Sequence, residues 1–229
     1  MSTVRSWLVL ALAAIAVASL GLVACGSDDD GGGDPTATSI PEITVGDDEP
    51  AFLGVQVSPQ PRKPDFVLTD TSGEDYDITA ETEGYLTLLY VGYTHCPDVC
   101  PTHMLDIART LDDLGPEIAD RVKVVFVTSD PERDTPEAMR TWLDAFDERF
   151  IGLTGDTEDL ENLQRQLGMN PAQKVPLNDK GDYAVDHGAY VLAFTAEDNL
   201  AHLVYPLGVT RDAWAHDIKK LVEEGWTES

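Results

Sequence analysis

The chain has 229 residues, enough for one domain with a sizeable core and some appended sequence. Its 42 acidic residues outnumber 15 basic ones, for a net charge of −27. Such a charge opposes binding to nucleic acid or to an anionic lipid surface, and says little about chemistry.

Residues 6–27 carry no charge, Arg5 is the only basic residue before them, and 7–24 are almost wholly apolar. A run of that length could just span a bilayer as a retained anchor. It ends, however, in Leu22-Val23-Ala24-Cys25, a small-residue cleavage context that is similar to a bacterial lipobox. Residues 1–24 are therefore expected to be a lipoprotein signal peptide, with Cys25 the lipidated new N-terminus. Two acyl chains suffice for stable anchoring. Residues 25–50 are rich in Gly and Asp, with eight acidic residues and no basic ones. They cannot support a core and are expected to be a self-repelling tether. Either anchor places residues 51–229 outside the cytoplasm, on the cell membrane.

Within 51–229, short strands are expected at 52–57, 66–68 and 76–78, with Thr71-Ser72-Gly73 as the turn between the last two. The apolar run at 85–91 reads as a buried strand. Met104, Ile107, Ala108, Leu111 and Leu114 then recur at helical spacing until Gly115-Pro116. Pro101 is comfortable only in a first helical turn, so that helix should start near Asp98 or Cys100 and leave Cys96 in the preceding loop. A strand at 122–128 follows. Thr135 and Pro136 read as N-cap and first residue of a helix carrying Met139, Trp142, Leu143 and Phe146 on one face. Another helix covers 157–167, stopped by Gly168. Strands are expected at Val185, 189–195 and 200–205, and Trp214, Ile218, Leu221 and Val222 line a terminal helix. A βαβ unit followed by a ββα unit, with cysteines at the first βα junction, is a thioredoxin-like layout of α/β class. The extra N-terminal strands and the segment 136–167, read as an inserted helical stretch, elaborate it.

Three cysteines minus a lipidated Cys25 leave Cys96 and Cys100. A bond between them closes too short a loop to be a useful structural staple, so a functional pair is the better reading. Unpaired N–H groups at a helix start favour thiolate. Two such sulfurs can exchange disulfides or bind a soft metal. Of the five histidines, His202 and His216 fall on expected strand or helix surfaces, and His95 and His103 read as surface or supporting residues. His187 precedes the ββ unit, where a thioredoxin-like chain passes opposite the cysteines.

The run from Gly92 to Pro101, GYTHCPDVCP, resembles the signature of the Sco/SenC family of copper-binding proteins. Asp130-Pro131-Glu132-Arg133-Asp134-Thr135-Pro136, Asp186-His187 and Phe150-Ile151-Gly152-Leu153-Thr154-Gly155 resemble further family segments in the family's order. Ser129 and His103 depart from the usual residues without removing a ligand. The resemblance implies copper ligation by Cys96, Cys100 and His187, one ion per domain, as Cu(I) or Cu(II). Asp130 is a secondary candidate near the site.

The resemblance also implies a role in assembling the binuclear copper centre of cytochrome c oxidase, by delivering copper or reducing cysteines. The partners implied are the copper-receiving oxidase subunit, a copper donor and a thiol reductant. Thiolates suit Cu(I) and imidazole suits either copper state, whereas zinc with these ligands would usually recruit a fourth. The main alternative is an enzyme, a thiol–disulfide oxidoreductase or peroxidase whose redox-active pair is Cys96 and Cys100. A copper sensor or store is a third reading. Three residues intervene between these cysteines, where efficient thioredoxin-like reductases have two.

Overall fold

The computed structural model describes residues 50–227. The expected signal peptide, the expected lipidation site Cys25 and all of the tether but Pro50 lie outside the described residues. None of the described helices is long and apolar enough to cross a membrane.

The strand that organises the fold is β4 (Leu86–Gly92), all seven of whose residues are buried. Its alternation divides the core. Leu86, Leu88 and Tyr90 belong to one apolar cluster, and Leu89 and Val91 to a second across the sheet. α2 (Val99–Leu114) and a short α3 (Pro116–Ala119) cross from β4 to β5 (Val122–Thr128), which pairs with β4 in parallel from Leu86↔Val122 to Gly92↔Thr128. On the other side of β4 lies β9 (Tyr190–Phe194), antiparallel to it, then β10 (Ala201–Pro206). α6 (Arg211–Glu223) packs against the first cluster through Trp214, Ile218, Leu221 and Val222. The units β4–α2–β5 and β9–β10–α6 are the expected thioredoxin-like core.

The N-terminal additions complete the sheet. β2 (Val67–Asp70) and β3 (Asp75–Asp77) form an antiparallel pair at one edge, and β1 (Val55–Gln56) pairs with β10 at the other. The strand expected to reach Ile78 stops a residue earlier. The Asp77 carboxylate accepts from the Ala80 amide at 2.9 Å, capping a short α1 (Ile78–Glu81). α4 (Pro136–Leu143) begins as expected, with the Thr135 hydroxyl accepting from the Ala138 amide. The stretch that follows is not purely helical. β6 (Ile151–Thr154) pairs in parallel with β5 and antiparallel with β2, before α5 (Thr157–Gln166). Four residues with a central glycine give little strand signal, and the close approach of Leu143 and Thr71 to Gly152 explains why no larger residue stands there. The resulting order is β1-β10-β9-β4-β5-β6-β2-β3. A separate hairpin pairs β7 (Gln173–Pro176), which sequence periodicity does not reveal, with β8 (Tyr183–Asp186).

His202, expected at the surface, is buried. A register irregularity between Ala201 and Leu203 breaks the alternation of β10, so Ala201, His202 and Leu203 are all enclosed. Its ring stacks on Trp226 at 4.4 Å, and Nε2 lies 2.8 Å from the Asp198 carboxylate.

The expected N-terminal strand is shortened to two residues because Asp217 takes the preceding amides. This fully buried carboxylate accepts from the amides of Leu53 and Gly54, from the Tyr205 hydroxyl at 3.1 Å and from His216 Nδ1 at 2.8 Å. Truncation would strand the buried Tyr205 hydroxyl and the part-buried amides of Leu53 and Gly54 at once. Asp217→Ala should therefore cost about 3 kcal/mol in urea unfolding, with amide exchange at Leu53 and Gly54 rising first. A loss below about 1 kcal/mol would show that the carboxylate is not what holds this segment.

Candidate metal centre

β4 ends at Gly92, and the chain passes through 93–98 before α2 begins. Cys96 lies in that loop, its amide donating to the Tyr93 carbonyl at 3.2 Å, and Cys100 is the second residue of α2. Both thiols are buried and free. Gly92 makes room for Cys100: a Cβ there would sit 2.6 Å from the Tyr90 ring and 2.9 Å from Cys100 Sγ. His187 directly follows β8. Because β9 runs antiparallel to β4, with Val191 opposite Tyr90, the residues just before β9 stand over the end of β4 where the cysteine loop begins.

The two Sγ atoms and a ring nitrogen of His187 all lie within 4.8 Å of one another. Cys100 Sγ and His187 Nε2 are 3.5 Å apart. His187 Nδ1 faces the Gly188 carbonyl at 3.3 Å, an arrangement that puts the proton on Nδ1 and leaves the Nε2 lone pair for the sulfurs. Tyr90 and Tyr93 stand edge-on to the imidazole, at 6.0 and 5.5 Å between ring centres. The Tyr90 hydroxyl donates to Cys100 Sγ at 3.4 Å. Metal–ligand bonds of roughly 2.0–2.3 Å span at most about 4.6 Å end to end, so a pair of donors as far apart as 4.8 Å would have to close by at least about 0.2 Å to share an ion. Tyr93, Pro97, Val99, Val185, Asp186 and Ala189 border an open depression at the cysteine loop and His187.

The two thiols differ electrostatically. A hydrogen bond from Cys100 holds the Cys96 thiol far below the ordinary cysteine range, outweighing its burial, with the amides of Asp98 and Cys100 assisting. Burial pushes Cys100 the other way, and the neighbouring Cys96 sulfur adds to it. Of the two, Cys96 is the one biased toward thiolate and Cys100 the one biased toward its protonated form. Two sulfurs and one imidazole form a soft donor set, suited to Cu(I) more than to a hard cation.

The other candidates fall outside this group. Asp130 is buried, but its carboxylate pairs with Arg133 Nε and accepts from the Tyr183 hydroxyl at 2.9 Å. His95 is half exposed and turned to Thr94 Oγ1 and Asp134, at 3.1 and 3.5 Å. His103 is buried against Tyr90, with ring centres 5.1 Å apart, and burial lowers its pKa. His216 is exposed beside Asp217. Sequence reasoning assigned no role to Tyr90, Gly92 or Asp134. Gly92 and Asp134 lie in the quoted motif segments, whereas only tertiary contact singles out Tyr90.

Three comparisons bear on this arrangement. ScoI of Bradyrhizobium japonicum, solved with copper bound, is 36% identical and superimposes with a TM-score of 0.62, over 69% of this chain and 98% of that one. Apo Sco1 from Thermus thermophilus is 31% identical with a TM-score of 0.66, over 74% of this chain and 96% of that one. The SCO2-like protein RC0895 of Rickettsia conorii is 33% identical over 132 residues, 58% of this chain and 63% of the relative, so the match spans just under two thirds of that protein. The SCO1/SenC family model matches residues 55–223, which takes in both cysteines, the Asp130–Pro136 segment and His187. On that match, and on the sheet that presents these three donors together, the chain belongs to the SCO1/SenC family.

Proposed function

We propose that this protein is an extracytoplasmic copper metallochaperone that assists assembly of the copper centre of cytochrome c oxidase. The observation that carries the reading is the convergence of Cys96 Sγ, Cys100 Sγ and His187 Nε2 within 4.8 Å. Copper is cargo here. Cys96, already a thiolate, captures the ion. Cys100 then gives up its proton, and His187 completes a three-ligand set. The open side leaves room for a recipient's ligands to replace these one at a time, a transfer that needs no net electron. The copper donor, the thiol reductant and the receiving oxidase subunit belong to the same proposal. So do the signal peptide (1–24), lipid-modified Cys25 and acidic tether (25–50) that would hold domain 51–229 beside the membrane.

A second reading has an observation of its own. A Cys96 thiolate next to a protonated Cys100 also suits thiol–disulfide exchange, with Cys96 attacking and Cys100 resolving. That chemistry does not need His187, which is where the two readings part.

Reduced domain should bind one Cu(I) in an anaerobic titration. His187→Ala should weaken binding by about ten- to a hundredfold, the range reached on losing even a ligand's outer partners. Cys96→Ser or Cys100→Ser should cost more, because a hydroxyl is a poor ligand for a soft ion. The disulfide form should lose tight binding altogether. Unchanged affinity in the His187 variant would favour the oxidoreductase.

The thiol asymmetry predicts a pH profile. With the Cys96 pKa lowered to about 4, the nucleophilic thiolate persists as pH falls through neutrality and is lost only near that value. Iodoacetamide at pH 6 should label Cys96 alone, and copper binding at pH 7 should release close to one thiol proton, from Cys100. Equal labelling of the two, read by peptide mass spectrometry, would contradict the assignment.

The anchor is tested on the native N-terminal peptide. Mass spectrometry should find diacylglyceryl-modified Cys25 as the first residue, and Cys25→Ser should block processing. An unmodified Cys25 inside an uncleaved chain would mean a transmembrane anchor instead.

A further inference from the structure

His187 lies between an arm that has no place in the main sheet and β9, which pairs within it. β7 and β8 pair only with each other, and His187 follows the last residue of β8 directly. Val185 adds apolar burial, and Lys174 pairs with the exposed Glu132. The Tyr93 side chain hydrogen-bonds the Val185 backbone, and the other polar contacts of β8 with the body gather around Arg133, in the turn after β5. Its Nε pairs with the buried carboxylate of Asp130, and its Nη1 donates to the Tyr183 carbonyl at 3.1 Å. The guanidinium carbon lies 3.7 Å from the centre of the Tyr183 ring and 5.7 Å from that of Tyr93. Asp130 closes the loop by accepting from the Tyr183 hydroxyl. Tyr93, three residues before Cys96, is itself edge-on to His187. One planar cation thus lies between the segment that carries the cysteines and the segment that carries the histidine.

We propose that Arg133 is a positioning residue for copper binding, which clamps Tyr183 and so holds His187 within reach of the two sulfurs. The proposal rests on the reading of Cys96, Cys100 and His187 as the copper ligands. Two parallel uses of the guanidinium fork, with stacking on an aromatic face, are beyond the geometry of a lysine. A clamp on the first residue of a four-residue strand transmits position to the residue after the last, because a paired strand moves as a unit.

The test is a double-mutant cycle of Cu(I) affinity, measured by competition with a chromophoric chelator on wild type, Arg133→Met, His187→Ala and the double variant. Arg133→Met should weaken binding about tenfold when His187 is present, as expected for a ligand's outer support. It should change affinity by less than about twofold once His187 is gone, since a residue that acts through another has nothing left to act through. In copper-free protein the same substitution should speed amide exchange at Ala184, Val185 and Asp186 while β4 and β5 keep their protection. Equal weakening in both backgrounds, or none with His187 present, overturns the proposal. If Arg133→Met does not fold, Arg133→Lys, which keeps the charge beside Asp130 and loses the two-pronged grip, should show the same dependence on His187. If His187→Ala and Cys96→Ser both leave affinity untouched, the ligand reading fails and the clamp falls with it. Ligand variants that weaken binding, together with equal Arg133 losses in both backgrounds, would remove the clamp alone.

Discussion

The buried carboxylate of Asp134 is the interaction on which placement of the cysteine loop depends. It accepts from the Thr94 amide at 2.9 Å, from the Thr94 hydroxyl at 2.6 Å and from the Thr128 hydroxyl at 2.8 Å. Thr128 in turn accepts from the Asp130 amide. A carboxylate removed from water must find several donors, and these come from two neighbouring strand ends. The consequence is geometric: the last residue of β5, the turn that carries Arg133 and the loop that carries Cys96 are held in one frame. The copper-ligand candidates are thus arranged by polar residues a turn or more away, while the sheet beneath supplies rigidity.

The site divides its labour between depth and access. Cys100 sits at a helix start under the Tyr90 hydroxyl, with Gly92 thinned to let it approach the strand. Cys96 and His187 stand at the rim, among the residues that border the depression. An ion bonded to all three would be anchored on one side and reachable on the other. That combination differs from a structural ion, which is normally closed off by four protein ligands.

The parts of this fold that were legible in the sequence are those written in local signals. Thr135-Pro136 marks a helix start because cap and proline act within one turn, and 122–128 reads as a strand because every second or consecutive residue is β-branched or aromatic. The cysteine pair stood out by its spacing, whereas His187 was named as a ligand through the family resemblance, its place before the ββ unit being only a weak signal. What stayed hidden depends on distant partners. The bulge that buries His202 changes its facing without changing its composition. β7 exists because β8 pairs with it, and its exposed Gln173-Lys174-Val175-Pro176 has no pattern of its own. Asp134 and Arg133 sit in a segment recognisable as a motif, but nothing local says that one holds Thr94 and the other Tyr183.

The same two sulfurs cannot be bridged to each other and bonded to copper at once. If Cys96 and Cys100 ligate copper as proposed, metal binding stabilises only the dithiol, and electrons and copper become linked ligands of one site. The midpoint potential of the Cys96–Cys100 couple rises by about 30 mV for each tenfold excess of free Cu(I) over its dissociation constant. Copper-loaded protein resists oxidants that would close the bridge in copper-starved protein. On the proposed ligand set, the voltage of the surroundings would decide whether the site is a dithiol that can be filled or a bridge that must first be reopened.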